Sequence, residues 1–275
     1  MRRPRLSVPG FATVLGAVLE TGWAGMRLAG LPLEVAVWGV RRCAGLFGGP
    51  AVRPLERETT RCEPDVTGLP VIFVHGLSDR ASIFTRLRDR LRGCGAGPFL
   101  TATYSPFHLD IRTAARALSE QVEQAREQAG GRPVCLVGHS LGGLIARYYV
   151  QRLGGDAHVS LVITLATPHS GTAMALLAPP YPVLRQLRPG SDLLAELAEP
   201  CPGCRTRFVA FYSDLDEAVL PAGRARLDHP DLLVRNILVH DVGHLMLPVH
   251  TCVVDEVRAL LAAAVGVPPE ALAPE

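Results

Sequence analysis

From Pro70 onward, short uninterrupted apolar runs alternate with longer segments of helical spacing. The runs cover residues 71–74, 134–137, 161–165, 208–212 and 237–239, with a weaker one at 99–104. Runs this short, near-continuous and β-branched suit strands buried on both faces of a parallel sheet. Helical spacing fills the intervals, at residues 82–91, 111–129, 142–153, 192–198 and 251–265. Such alternation predicts an α/β fold: a doubly wound, mainly parallel sheet of about six strands. No internal repeat or low-complexity tract interrupts it.

Residues 1–49 follow a different pattern. A basic start, Met1-Arg2-Arg3-Pro4-Arg5, precedes an uncharged run from Leu6 to Leu19. Glu20, Arg27, Glu34 and Arg41 then recur every seven residues, nearly two helical turns, and so fall on one stripe. Gly30 and Pro32 break the segment into two helical pieces. A secretory signal, a membrane anchor and an amphipathic helical pair packed on the enzyme all fit this pattern. Membrane association is preferred, because residues 8–26 hold a single charge, Glu20, and no A-x-A-like cleavage site follows. The expected location is the cell envelope, by anchoring, or the exterior, by secretion. Residues 50–69 lack apolar periodicity and read as a linker. The catalytic domain spans residues 70–267, and residues 268–275 form a tail.

Composition narrows the class. With 48% hydrophobic and 20% charged residues, the chain supports a packed core and is not disordered. The formal net charge of +2 comes with scattered Arg and no Lys, so nothing points to a nucleic-acid partner. There are seven cysteines. Cys135 and Cys252 stand in apolar runs and read as small buried hydrophobes. Cys201-Pro202-Gly203-Cys204 lacks the second pair or nearby His that a zinc site needs, and a local disulfide is the expectation there.

The central motif is Gly138-His139-Ser140-Leu141-Gly142. By chance alone, G-x-S-x-G turns up in roughly one chain in ten of this length. The setting decides: an apolar strand precedes it and a helix follows, the strand–turn–helix arrangement of a nucleophile elbow. Gly138 and Gly142 let strand and helix pack closely there. Ser140 is the candidate nucleophile. It needs a base, and the base needs an orienting carboxylate, in the chain order Ser, Asp or Glu, His. Asp214, Asp216 and Glu217 follow the run at 208–212, and Asp216 is preferred over Asp214. The histidines are His229, His240, His244 and His250. His244 is preferred, since it sits on a loop before the last helix, whereas His240 closes a strand and would point into the sheet layers. Two backbone N–H groups should receive the oxyanion: that of Leu141, and that of Leu77 in His75-Gly76-Leu77 after the first strand. His75 would hold that loop.

Together these motifs carry a resemblance. His75-Gly76, the run from Gly138 to Gly143, Thr167-Pro168-His169-Ser170-Gly171, Asp216 in its loop and Val242-Gly243-His244 resemble the α/β-hydrolase superfamily. They are most similar to the small bacterial triacylglycerol lipases and esterases. The resemblance implies an α/β-hydrolase fold, Asp216 and His244 as acid and base, and acyl-ester or lipid substrates cleaved without a cofactor. Some larger lipases of this kind bind calcium beside the catalytic His. Here Leu245, Met246 and Leu247 offer no carboxylate, so no metal is expected. An acyltransferase or thioesterase would use the same machinery, and a catalytically silent binding protein would keep the fold alone. Residues 173–202 exceed what a connection needs; they resemble in position the cover over lipase sites, and an ordinary surface excursion fits them equally.

Overall fold

The strands β1 (Val71–Val74), β2 (Phe99–Thr101), β3 (Val134–His139), β4 (Val159–Leu165), β5 (Arg207–Ser213) and β6 (Leu233–Val239) form one parallel sheet. Its order is β2-β1-β3-β4-β5-β6. The computed structural model describes residues 68–77, 81–102, 104, 110–178 and 181–266, all within one compact unit, Val52–Glu275. The N-terminal segment 1–49, most of the linker and the tail 268–275 lie outside the described residues. Among the described residues, no helix is long and apolar enough to cross a membrane.

Both faces of the sheet are covered, which is why its strands read as near-continuous apolar runs. Ile72, Val74, Val134 and Leu136 face one layer, with the helices α2 (Ile111–Gln128), α3 (Leu141–Arg152), α4 (Pro182–Gln186) and α5 (Asp192–Ala198). Val71, Phe73, Cys135 and Val137 face the other, with α1 (Thr85–Leu91) and α6 (Thr251–Val265). Helix starts are set by local polar groups. Asp110 accepts the N–H of Thr113 at 2.7 Å to begin α2, and the Ser191 hydroxyl accepts that of Leu194 at 3.4 Å to begin α5. Gly266, at φ 82°, ends α6.

The chain leaves β1 toward β2 on one side and returns to β3 on the other. The sheet therefore has its switch point between β1 and β3, where ligands of open α/β sheets bind at the carboxyl ends of the strands. Val74 is in register with Gly138 there, so the loops carrying Leu77 and Ser140 leave the sheet side by side.

Several expectations need correction. β2 stops at Thr101, because an edge strand pairs only with the three residues β1 offers it. β6 begins at Leu233, earlier than its apolar core suggests; it is an edge strand, half-exposed, and carries Arg235 and Asn236. Helix α4 has no long apolar period and starts on Pro182 at its first position. Cys252 is exposed, on the outward side of α6 with Asp255 and Ala259. Cys201 and Cys204 are free thiols in a Pro-Gly turn. The Cys204 thiol donates to Asp156 at 3.3 Å, and burial together with that carboxylate pushes its pKa up to about 12.

Candidate active site

Ser140 stands between the last residue of β3 and the first of α3, at φ 52° and ψ −121°. A non-glycine residue there is strained, at roughly 1–3 kcal/mol. The surroundings force it. Ser140 N–H donates to Leu165 O at 2.9 Å, and Gly143 N–H donates back to Ser140 O at 3.1 Å. A Cβ on Gly138 would fall 2.6 Å from the Gly143 Cα, and one on Gly142 would fall 2.0 Å from the Val74 carbonyl oxygen. A third glycine, Gly143, is equally obligatory: its Cβ would lie 1.9 Å from Thr167 Oγ1. No side chain fits at these three positions, which brings strand and helix close around Ser140.

Asp216 lies beyond the end of β5 and is fully buried on its side chain. Its Oδ1 accepts the N–H groups of Ala218 and Val219, both at 2.9 Å, which close the loop around the carboxylate. His244 Nδ1 donates to the same carboxylate, at 3.0 Å from Oδ1 and 2.9 Å from Oδ2. The imidazole also packs on His139, the residue before Ser140, with ring centroids 4.9 Å apart. His139 Nε2 donates to the His244 carbonyl at 3.2 Å, and the His244 N–H donates to Glu217 at 3.3 Å. Asp216, His244 and the elbow thus meet above the carboxyl ends of β3 to β5.

Of the alternative candidates, Glu217 touches the His244 backbone only, and Asp214, His240 and His229 are engaged elsewhere. His240 does not enter the sheet layers: it is exposed and bonds Asp214 at 2.5 Å. The strand ends one residue earlier, so its side chain clears the edge into solvent. His229 donates to the Glu199 carbonyl at 3.0 Å, beside the Pro200–Cys204 turn.

Leu141 opens α3, so its N–H has no acceptor within the helix. Leu77 packs against the core cluster that contains Leu141. His75 Nδ1 donates to the Gly76 carbonyl at 3.0 Å, and its ring stacks on Tyr104 at 4.5 Å between centroids. The Tyr104 hydroxyl donates to the His75 carbonyl. Tyr104 was not singled out from sequence; its only signal was its place as the aromatic end of the weaker run at 99–104. A narrow crevice beside Leu141 is lined by Tyr104, Asp110, Ile111, Ala114, Ile145 and Val183.

Residues 173–202 carry α4 and α5 and are tied to the body at several points. The Ile111 N–H donates to Gln186 Oε1 at 2.7 Å. Arg112 Nε lies 3.1 Å from both Glu196 oxygens, and Tyr148 donates to the same carboxylate at 2.9 Å. Arg147, buried under this segment, donates to Gln151, to the His169 carbonyl and to the Leu197 carbonyl. Burial lowers its pKa to about 9, with Arg152 contributing. The outer part exposes Leu176, Leu177 and Tyr181. Among the described residues, no group of three His, Cys, Asp or Glu side chains is placed to hold a metal ion.

Comparison with known proteins agrees with the fold. The palmitoyl protein thioesterase family model matches residues 70–200. A GPI inositol-deacylase of Candida albicans is 27% identical over 188 residues, covering 59% of this chain and 42% of that protein. A triacylglycerol lipase of Pseudomonas fragi is 31% identical over 114 residues, covering 40% of this chain and 38% of that protein. The matches thus span about two fifths of the length of these curated relatives. Among solved structures, the mature lipase BlEst2 of Bacillus licheniformis superposes with a TM-score of 0.61 at 20% identity, over 78% of this chain and 99% of that one. A monoacylglycerol lipase of Paleococcus ferrophilus gives 0.51 at 16%, over 73% and 97%. The chain has the α/β-hydrolase fold. In sequence it is similar to a bacterial triacylglycerol lipase, and in fold to bacterial lipases.

Proposed function

We propose that this protein is a serine-dependent carboxylic ester hydrolase of lipase type, acting on acyl esters through Ser140, His244 and Asp216. The observation that carries the reading is a serine held at φ 52° at the switch point, beside an imidazole bonded through Nδ1 to a buried carboxylate. With Nδ1 committed to Asp216, Nε2 is the nitrogen that takes the proton of Ser140. Ser140 Oγ then attacks the ester carbonyl. The N–H groups of Leu141 and Leu77 receive the oxyanion, the first with the aid of the α3 dipole. The imidazolium, stabilised by Asp216, protonates the leaving alcohol, and water releases the acyl group by the same steps. No cofactor takes part.

The palmitoyl protein thioesterase match supports a second reading, in which a thioester is the preferred substrate of the same triad. Two assays decide between them. A fluorophosphonate probe should label Ser140, and p-nitrophenyl esters from acetate to palmitate should be hydrolysed. An acyl thioester turned over far faster than the ester of the same acid would favour the second reading. Folded protein that neither labels nor hydrolyses would make it a silent member of the fold.

A further inference from the structure

Two His–Asp pairs bridge the same two loops. β5 and β6 run side by side to Ser213 and Val239, which are paired in register. Just beyond, Asp214 meets His240, and a little further on Asp216 meets His244. The inner pair is buried and serves the chemistry. The outer pair is exposed, and no step above uses it.

Asp214 does more than pair with a histidine. Its Oδ2 lies 2.5 Å from His240 Nδ1, and its Oδ1 accepts the backbone N–H of Asp241 at 2.9 Å. Asp241 sits at φ 59°, a left-handed conformation that non-glycine residues seldom adopt. The carboxylate therefore clamps a strained turn through both a side chain and the backbone.

Topology gives that turn its importance. His240 follows the edge strand β6, whereas the His244 carbonyl is bonded by His139 at the end of β3, three strands inward. Neighbouring strands lie about 4.8 Å apart, and one residue spans at most about 3.5 Å. His244 comes only four residues after His240, so the chain turns inward directly from the sheet edge, with the His139 side chain spanning part of the gap; the strained Asp241 lies on that turn.

We infer that Asp214 is a positioning residue: by holding His240 and the Asp241 N–H, it fixes the turn that delivers His244 to the elbow. The inference rests on Ser140, Asp216 and His244 being the triad. An exposed ion pair adds little to stability, so losing Asp214 acts on rate and leaves the melting temperature nearly unchanged.

The test is kinetic. Asp214→Ala should lower kcat on a short p-nitrophenyl ester by about 10- to 100-fold, the scale of a misplaced catalytic group, with KM unchanged. Asp214→Asn keeps an acceptor for the Asp241 N–H and should lose only a few-fold. Adding Asp241→Gly to Asp214→Ala should restore most of kcat, because glycine holds positive φ without a clamp. Wild-type kinetics in Asp214→Ala would overturn the inference. So would a loss of rate that tracks a fall in melting temperature and is not rescued by Asp241→Gly. Ser140→Ala and His244→Ala are run alongside. If they remain active, the triad itself is wrong; if they are dead while Asp214→Ala is fully active, only the positioning role fails.

Discussion

His244 Nδ1 faces both carboxylate oxygens of Asp216, at 3.0 and 2.9 Å, across 28 residues of chain. Each partner sits on the loop after its own strand, and those strands are neighbours. The bond holds the tautomer with its proton on Nδ1, which in the proposed mechanism leaves Nε2 to serve Ser140. Asp216→Asn would donate where it now accepts, and should lower kcat on the order of 10⁴-fold. Asp214→Asn should cost far less. Steady-state kinetics of the two variants give the ranking, and the reverse order would move the acid to Asp214.

Ser140→Ala should remove activity, a drop of about 10⁴-fold or more, and leave circular dichroism unchanged. Near-normal turnover in a folded variant would end the nucleophile assignment.

Gly142→Ala should be more damaging than a helix alanine ordinarily is. The new methyl carbon would meet the Val74 carbonyl oxygen at 2.0 Å, a backbone atom with no freedom to move aside. Forced repacking of this kind costs about 1–3 kcal/mol or more. Thermal unfolding measures it, and a variant as stable as the parent would contradict the packing described.

His169 predicts a pH dependence of stability. Burial holds its pKa well below the ordinary histidine value, and Arg147 adds to the effect. The folded protein keeps this ring neutral, so on acidification the unfolded chain takes up the proton first. The associated stability is intact above pH of about 6.5 and is lost as pH falls toward the depressed folded value. The slope is at most about 1.4 kcal/mol per pH unit. Denaturant unfolding at several pH values should show a shallower slope in His169→Gln than in the parent; equal slopes would rule His169 out.

The N-terminal segment 1–49 gives a fractionation test. Its Arg-rich start and uncharged run from Leu6 to Leu19 propose a membrane tether. Deleting residues 1–49 should move the protein from the membrane fraction to the soluble one while activity on a soluble ester persists. A full-length protein already soluble at high yield would dismiss the tether.

The sheet was legible because burial on both faces leaves uninterrupted apolar runs, as at Val71–Val74. The elbow was legible for a related reason: Gly138 and Gly142 are demanded by contacts as short as 2.0 Å, and such demands show as residue types at fixed spacing. Edge strands were harder. β6 alternates half-exposed positions, so only its apolar end stood out. Cys252 was misjudged because a helix buries one side only, and an apolar run does not say which. Tyr104 on His75, His139 on His244 and Asp214 on Asp241 are contacts between distant segments. No local pattern encodes them.

The conformation of Ser140 has a consequence for how this protein could change over time. Glycine adopts positive φ without penalty. Selection for robustness alone would therefore favour glycine at position 140, and would find it by one substitution that also removes the nucleophile. Persistence of serine at so uncomfortable a point of the backbone would distinguish a working lineage from one that has kept only the scaffold.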